Sequence, residues 1–139
     1  MNVGQLCSRP PVVCDQDEPI RQVARLMLEH DVGAVVIVDA DDRPVGIVTD
    51  RDLSLRSLAR GLDPTGSVAS VMTTSAVTVG EHVDALDAAR HMGTRHCRRL
   101  PVVDDDGRVV GVISADDLTG RSPRTTWGDD EPVAGAGAG

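Results

Sequence analysis

Gly46-Ile47-Val48-Thr49-Asp50-Arg51-Asp52-Leu53 and Gly111-Val112-Ile113-Ser114-Ala115-Asp116-Asp117-Leu118 are two copies of one pattern, set 65 residues apart. Outward from them, residues 3–53 and 68–118 align without a gap. Val3 matches Val68, Val12 matches Val77, and Ala24-Arg25 matches Ala89-Arg90. Met27 matches Met92, and Val38-Asp39 matches Val103-Asp104. About a quarter of the aligned positions are identical, and most of the rest keep their apolar or polar character. The copies are one structural unit used twice.

Each copy reads as β-α-β-β-α. In the first, Val12-Val13-Cys14 is strand-like, and Asp15-Gln16-Asp17-Glu18-Pro19 signals a helix start with acids in its first turn. Ile20, Val23, Ala24, Met27 and Leu28 recur at helical spacing and predict one apolar face. Val35 to Val38 is a β-branched run typical of a strand covered on both sides. A polar turn over residues 39–43 leads to a strand over residues 45–48. A helix follows over residues 50–60, stopped by Gly61. The second copy repeats this order, with its first helix over residues 83–95. The boundaries expected are residues 1–60 for the first unit, 61–67 for a linker, 68–120 for the second unit and 121–139 for a disordered tail. That tail, rich in Pro, Gly, Ala and acids, has no face to bury and leaves Trp127 open to solvent.

The chain is acidic, with a formal charge of −8, and it holds no Phe or Tyr. Nucleic-acid binding needs a basic face and, for single strands, stacking aromatics, so this balance argues against it. No apolar stretch has the length of a membrane span, and Met1-Asn2-Val3-Gly4 lacks the opening of a signal peptide. Three cysteines, Cys7, Cys14 and Cys97, form no disulfide framework, and a reduced cytoplasmic setting is expected.

Two such units, each closing with Gly-apolar-apolar-(Ser/Thr)-x-x-Asp-Leu, resemble a tandem pair of CBS domains, a Bateman module. Val68-Ala69-Ser70-Val71-Met72-Thr73 and Leu100-Pro101-Val102-Val103-Asp104 are further family-like stretches. Glu29 to Ala34, Thr49 to Asp52 and Gly61 to Pro64 are similar to stand-alone CBS pairs of actinobacteria. The resemblance implies an α/β (α+β) fold in which the units pack about a pseudo-twofold axis, both sheets facing one aliphatic core. It also implies two equivalent clefts for AMP, ADP, ATP or S-adenosylmethionine as regulatory ligand, and association into a homodimer.

For such a cleft, ribose hydroxyls need a carboxylate acceptor, and a phosphate needs hydroxyl, N–H or cationic donors. The family's motif positions fall here on Thr49 with Asp52 and on Ser114 with Asp117. The same spacing also makes a capping box, in which the hydroxyl and carboxylate only close a helix N-terminus. Capping and ligand binding share this geometry, and the sequence leaves both open. Arg90, His91, Arg95, His96, Arg98 and Arg99 form a basic cluster without an acid. Arg98 and Arg99 precede the Leu-Pro-Val strand, where AMP-sensing relatives hold phosphate; the alternative is a rim that offsets nearby acids. The matching first-copy residues are Gly33 and Ala34, so the clefts are unequal. Val12 and Val13, with Ala76 and Val77, are the candidate base contacts. Arg9-Pro10-Pro11 stands where the second copy has hydroxyls, which removes two N–H donors from the first cleft. Ligand is therefore expected at Ser114 and Asp117 first.

The acidic runs Asp39 to Asp42 and Asp104 to Gly107 lack the spacing of a calcium loop and read as turns. His91, His96 and Cys97 make no zinc spacing, and no nucleophile sits in a catalytic context. The expected function is a non-catalytic regulatory sensor acting on an unknown effector protein. The alternative is a ligand-free structural or stress-response homodimer.

Overall fold

A computed structural model describes residues 1–74 and 78–119. Ala76, Val77, Trp127 and the tail expected over residues 121–139 lie outside them. The first sheet runs β1 (Val13–Cys14), β2 (Ala34–Val38), β3 (Pro44–Thr49) and β4 (Thr73–Thr74) in that spatial order. The second runs β5 (Val79–Gly80), β6 (Arg99–Val103) and β7 (Val109–Ser114). In both, the first pair is parallel and the second antiparallel. Helix α1 (Val3–Leu6) opens the chain, and α2 (Ile20–His30) links β1 to β2. Helix α3 (Asp50–Asp52) follows β3, α4 (Ala85–Arg95) links β5 to β6, and α5 (Ala115–Leu118) follows β7.

The repeat is legible bond by bond, and it shows that the units exchange their leading segments. Asn2 bridges Asp84 as Ser67 bridges Pro19, and Ser8 bridges Val112 as Thr73 pairs with Ile47. Each pair maps onto the other by the same 65-residue offset that relates the two motifs. Residues 2–8 thus dress the second sheet, while residues 67–74 dress the first. The cores follow suit. Val68 and Val71 pack with Val23, Val35, Ile37 and Val48, whereas Val3 packs with Ala88, Leu100, Val102 and Ile113.

Two separate aliphatic cores therefore replace the single core expected from sequence. Each sheet is covered on one face by its own helices, so Val35 and Ile37 point into the first core and Leu100 and Val102 into the second. Alternation along a strand turns the intervening residues the other way. Ala34, Val36 and Val38 are buried outside both clusters, Pro101 is fully buried, and β3 contacts β6, so these residues form the layer between the sheets.

Three local expectations are corrected. The acids at 15–18 precede α2 instead of filling its first turn, because Pro19 serves as the N-cap and the helix starts only at Ile20. Within α2 the buried stripe is Ile20, Val23 and Met27, while Leu28 is 83% exposed. The single helix expected over residues 50–60 is α3 followed by a wider π-type coil at Leu53–Leu58, with Gly61 at φ +68° closing it. That wider winding shows in the bonds Ala59 N–H to Ser54 O (3.0 Å) and Leu62 N–H to Ser57 O (3.1 Å).

Candidate functional site

Both motif pairs form complete capping boxes at a strand-to-helix handover. Thr49 N–H donates to Asp52 Oδ2 at 2.9 Å, and Asp52 N–H donates to Thr49 Oγ1 at 3.1 Å. Ser114 and Asp117 repeat both bonds at the same lengths. Each box uses one carboxylate oxygen and leaves the other. Asp52 Oδ1 lies 3.7 Å from Arg56 Nε. The residue that matches Arg56 in the second copy is Arg121, which lies outside the described residues.

The basic cluster is divided by acids that sequence alone did not place against it. Arg98, with its side chain 75% exposed, lies 3.7 Å from Asp116 Oδ1, and Arg90 pairs with Asp87 at 3.2 Å. Arg99 behaves differently. Its place on β6 turns it toward the first unit, on the same face as Pro101. There its Nη1 donates to Gly33 O at 3.1 Å and lies 3.5 Å from Asp50 Oδ1. Arg99 is also the strand partner of Ser114, so its backbone belongs to one motif and its guanidinium reaches the other.

The two described candidate base contacts differ in exposure. Val12 packs against the first core, and its carbonyl accepts from Val36 N–H at 2.9 Å, while Val13 is 37% exposed. Ala76 and Val77 fall outside the described residues. Arg9, at the rim where prolines replace hydroxyls, donates to Glu81 Oε1 at 3.2 Å and so ties that rim to the second unit. Two grooves lie between the helices of each unit, and Arg98 lines the second of them. One, of about 320 Å³, is lined by Ile20, Ala24, Leu53 and Leu58, and the other, of about 440 Å³, by Ala89, Met92, Ala115 and Leu118.

The acidic runs are turns. Asp39 Oδ1 accepts from the backbone N–H of Arg43 and of Asp41, which lowers its pKa. Asp104 Oδ1 accepts from the backbone N–H of Asp106 and of Arg108. Among the described residues no group of three His, Cys, Asp or Glu side chains is placed to hold a metal ion, and no helix is long and apolar enough to cross a membrane.

Residues 3–58 and 68–123 each match the CBS domain. The chain belongs to the CBS domain family. Hypoxic response protein 1 of Mycobacterium tuberculosis is 32% identical to this CBS pair over 124 residues, 88% of this chain and 82% of that protein. An uncharacterized protein of Methanopyrus kandleri is 34% identical over 119 residues, and the match spans only 61% of its length. Among solved structures, a CBS domain protein from Pyrobaculum aerophilum complexed with AMP shares 33% identity at a TM-score of 0.77, over 84% of this chain and 89% of that one. The CBS domain pair of protein MJ0100, in complex with 5′-methylthioadenosine and S-adenosyl-L-methionine, shares 27% identity at a TM-score of 0.77, over 94% and 98%.

The thiols of this CBS pair differ in burial, and their chemistry should differ accordingly. Burial pushes the Cys14 thiol from 9.0 up to about 12, with Glu18 and Asp15 adding to the effect, while Cys7 and Cys97 are raised less by partial burial. At pH 8 a maleimide should label Cys7 and Cys97 first and Cys14 last, as read by peptide mass spectrometry. The unfolded chain ionises Cys14 first, near 9, so its contribution to stability is level below that pH and is lost between about 9 and 12. Early labelling of Cys14 in the native protein would contradict its burial.

Proposed function

We propose that the protein is a non-catalytic regulatory CBS pair that binds an adenosine-bearing ligand between its units, with Ser114 and Asp117 as the principal site. The reading rests on one observation above the others. Each capping box spends only one carboxylate oxygen on the helix and leaves the second outside the cap. A carboxylate oxygen outside the cap, beside a hydroxyl at a strand end, is what ribose recognition needs. Relatives of the same fold hold AMP, 5′-methylthioadenosine and S-adenosyl-L-methionine, which supports the ligand class. In this reading Arg98 and Arg99 take a phosphate, Thr49 and Asp52 form the weaker second site, and base recognition falls to aliphatic groups and main chain around Val12 and Val13 and around Ala76 and Val77. AMP, ADP, ATP and S-adenosylmethionine are the candidates. The signal passes to an effector protein in the cytoplasm, and it is only as large as the ligand's preference for one state over another. Isothermal calorimetry with AMP tests the reading, and no heat at millimolar nucleotide would return the protein to a purely structural role.

Self-association is part of the proposal. Met92 and Val83 are spent on the second core, and Leu53 and Leu62 pack against the first. Leu28, Leu55, Leu58 and Leu86 remain 83%, 51%, 80% and 61% exposed. Large apolar side chains on the helical faces, beside two apolar grooves, suit a closed twofold dimer. Light scattering at micromolar concentration should report twice the 14.6 kDa chain mass. A value at one chain mass would refute the dimer.

A further inference from the structure

We infer that Asp50 is a specificity-determining residue that competes with a ligand's phosphate for Arg99, so that the cleft discriminates between charged nucleotides and uncharged nucleosides. The inference rests on the adenosine-ligand reading above and deepens it.

The geometry that carries it breaks the repeat at every position it uses. Gly33, Arg99 and Asp50 correspond to Arg98, Ala34 and Ala115 in the other copy, so the contact exists on one side of the pseudo-twofold only. Gly33 O receives two donors, Asp50 N–H at 3.0 Å and Arg99 Nη1 at 3.1 Å. A Cβ at Gly33 would lie 3.0 Å from Arg99 Nη2 and 3.2 Å from Asp50 Oδ2, so the glycine leaves room for the pair to close. The guanidinium thus sits beside the Thr49 motif while its strand pairs with Ser114, between the two hydroxyl and carboxylate sets.

Such a pair is both engaged and displaceable. The Arg99 and Asp50 side chains are 36% and 52% exposed, and exposed pairs shift an equilibrium by no more than about five-fold. A phosphate dianion entering the cleft must draw Arg99 off Asp50, and it meets the Asp50 carboxylate as a like charge. An uncharged adenosine thioether does neither.

Calorimetry with AMP and with 5′-methylthioadenosine tests this in Asp50→Asn. The substitution is not expected to disturb the fold, because Asp50 opens α3 at the surface and its Oδ1, accepting from Arg51 N–H at 2.8 Å, has an amide oxygen counterpart in the variant. AMP should bind about three- to ten-fold more tightly to the variant, with the thioether unchanged within about two-fold. In an Arg99→Ala background the same substitution should lose most of that gain. Equal changes for both ligands, no change for AMP, or a full gain without Arg99 would overturn the assignment. If neither ligand binds wild type or variant, the nucleotide reading falls and takes this one with it.

Discussion

Replacing Gly111 with alanine should destabilise the protein by about 1–3 kcal/mol, the range for forcing a methyl into a filled site. A Cβ there would stand 2.7 Å from Cys7 Sγ and 2.7 Å from the carbonyl oxygen of Ser8. That carbonyl cannot simply retreat. Ser8 O accepts from Val112 N–H at 3.1 Å, and Ser8 N–H donates to Val112 O at 2.9 Å, so moving it opens the bridge that fastens residues 2–8 to β7. Gly46 repeats the arrangement, with Met72 Sδ at 2.7 Å and Thr73 O at 3.0 Å. Its nearest obstacle is the flexible end of a methionine, so Gly46→Ala should cost less. Urea denaturation of the two variants checks both the size and the order. A Gly111→Ala protein as stable as wild type would mean that the leading segment does not cross β7 at contact distance.

Asp117→Ala should lower affinity for AMP by about 1.5–3 kcal/mol, the worth of hydrogen bonds to a charged acceptor. Part of any effect could come from the helix, since Asp117 Oδ2 also accepts from Ser114 N–H at 2.9 Å. Asp117→Asn separates the roles. The amide oxygen keeps that bond and so the cap, but the charge is gone, and affinity should still drop by most of the alanine effect. Asp52→Ala should matter less to binding, because the first cleft has Gly33 and Ala34 where the second copy has Arg98 and Arg99, and prolines where the second has hydroxyls. Nucleotide bound as tightly by Asp117→Ala as by wild type would remove ribose recognition from this carboxylate.

The β-α-β-β-α order was legible because it depends on local features: the Val35 to Val38 run, the helical spacing of Val23 and Met27, and the acidic turns between strands. The motif pairs were legible as caps or ligands, and the capping half is now visible in their bonds. What sequence could not give was partnership across the chain. Val3 and Val68 look alike in any alignment, yet each finishes the other unit's core, and no periodicity reports that. Asp50 escaped notice for a related reason. Its importance comes from meeting Arg99, a contact between sheets that only the turned-over face of β6 creates. One signal was available: Gly33, Asp50 and Arg99 each change chemical character between the copies, to Arg98, Ala115 and Ala34, and these three residues meet in space.

The exchanged leading segments also say something about how such a chain can exist. A single copy of the unit would present β3 or β7 with an unpaired edge and a core lacking its valine plug, while its own arm had nowhere to dock. It would need a second molecule to trade arms with, and its folding would depend on concentration. Joining the copies through Gly61 to Gly66 turns that trade into a reaction within one molecule, at an effective concentration set by a short tether. Half of this protein is therefore not a smaller version of it: residues 1–60 alone should be a strand-swapping oligomer or no folded species at all.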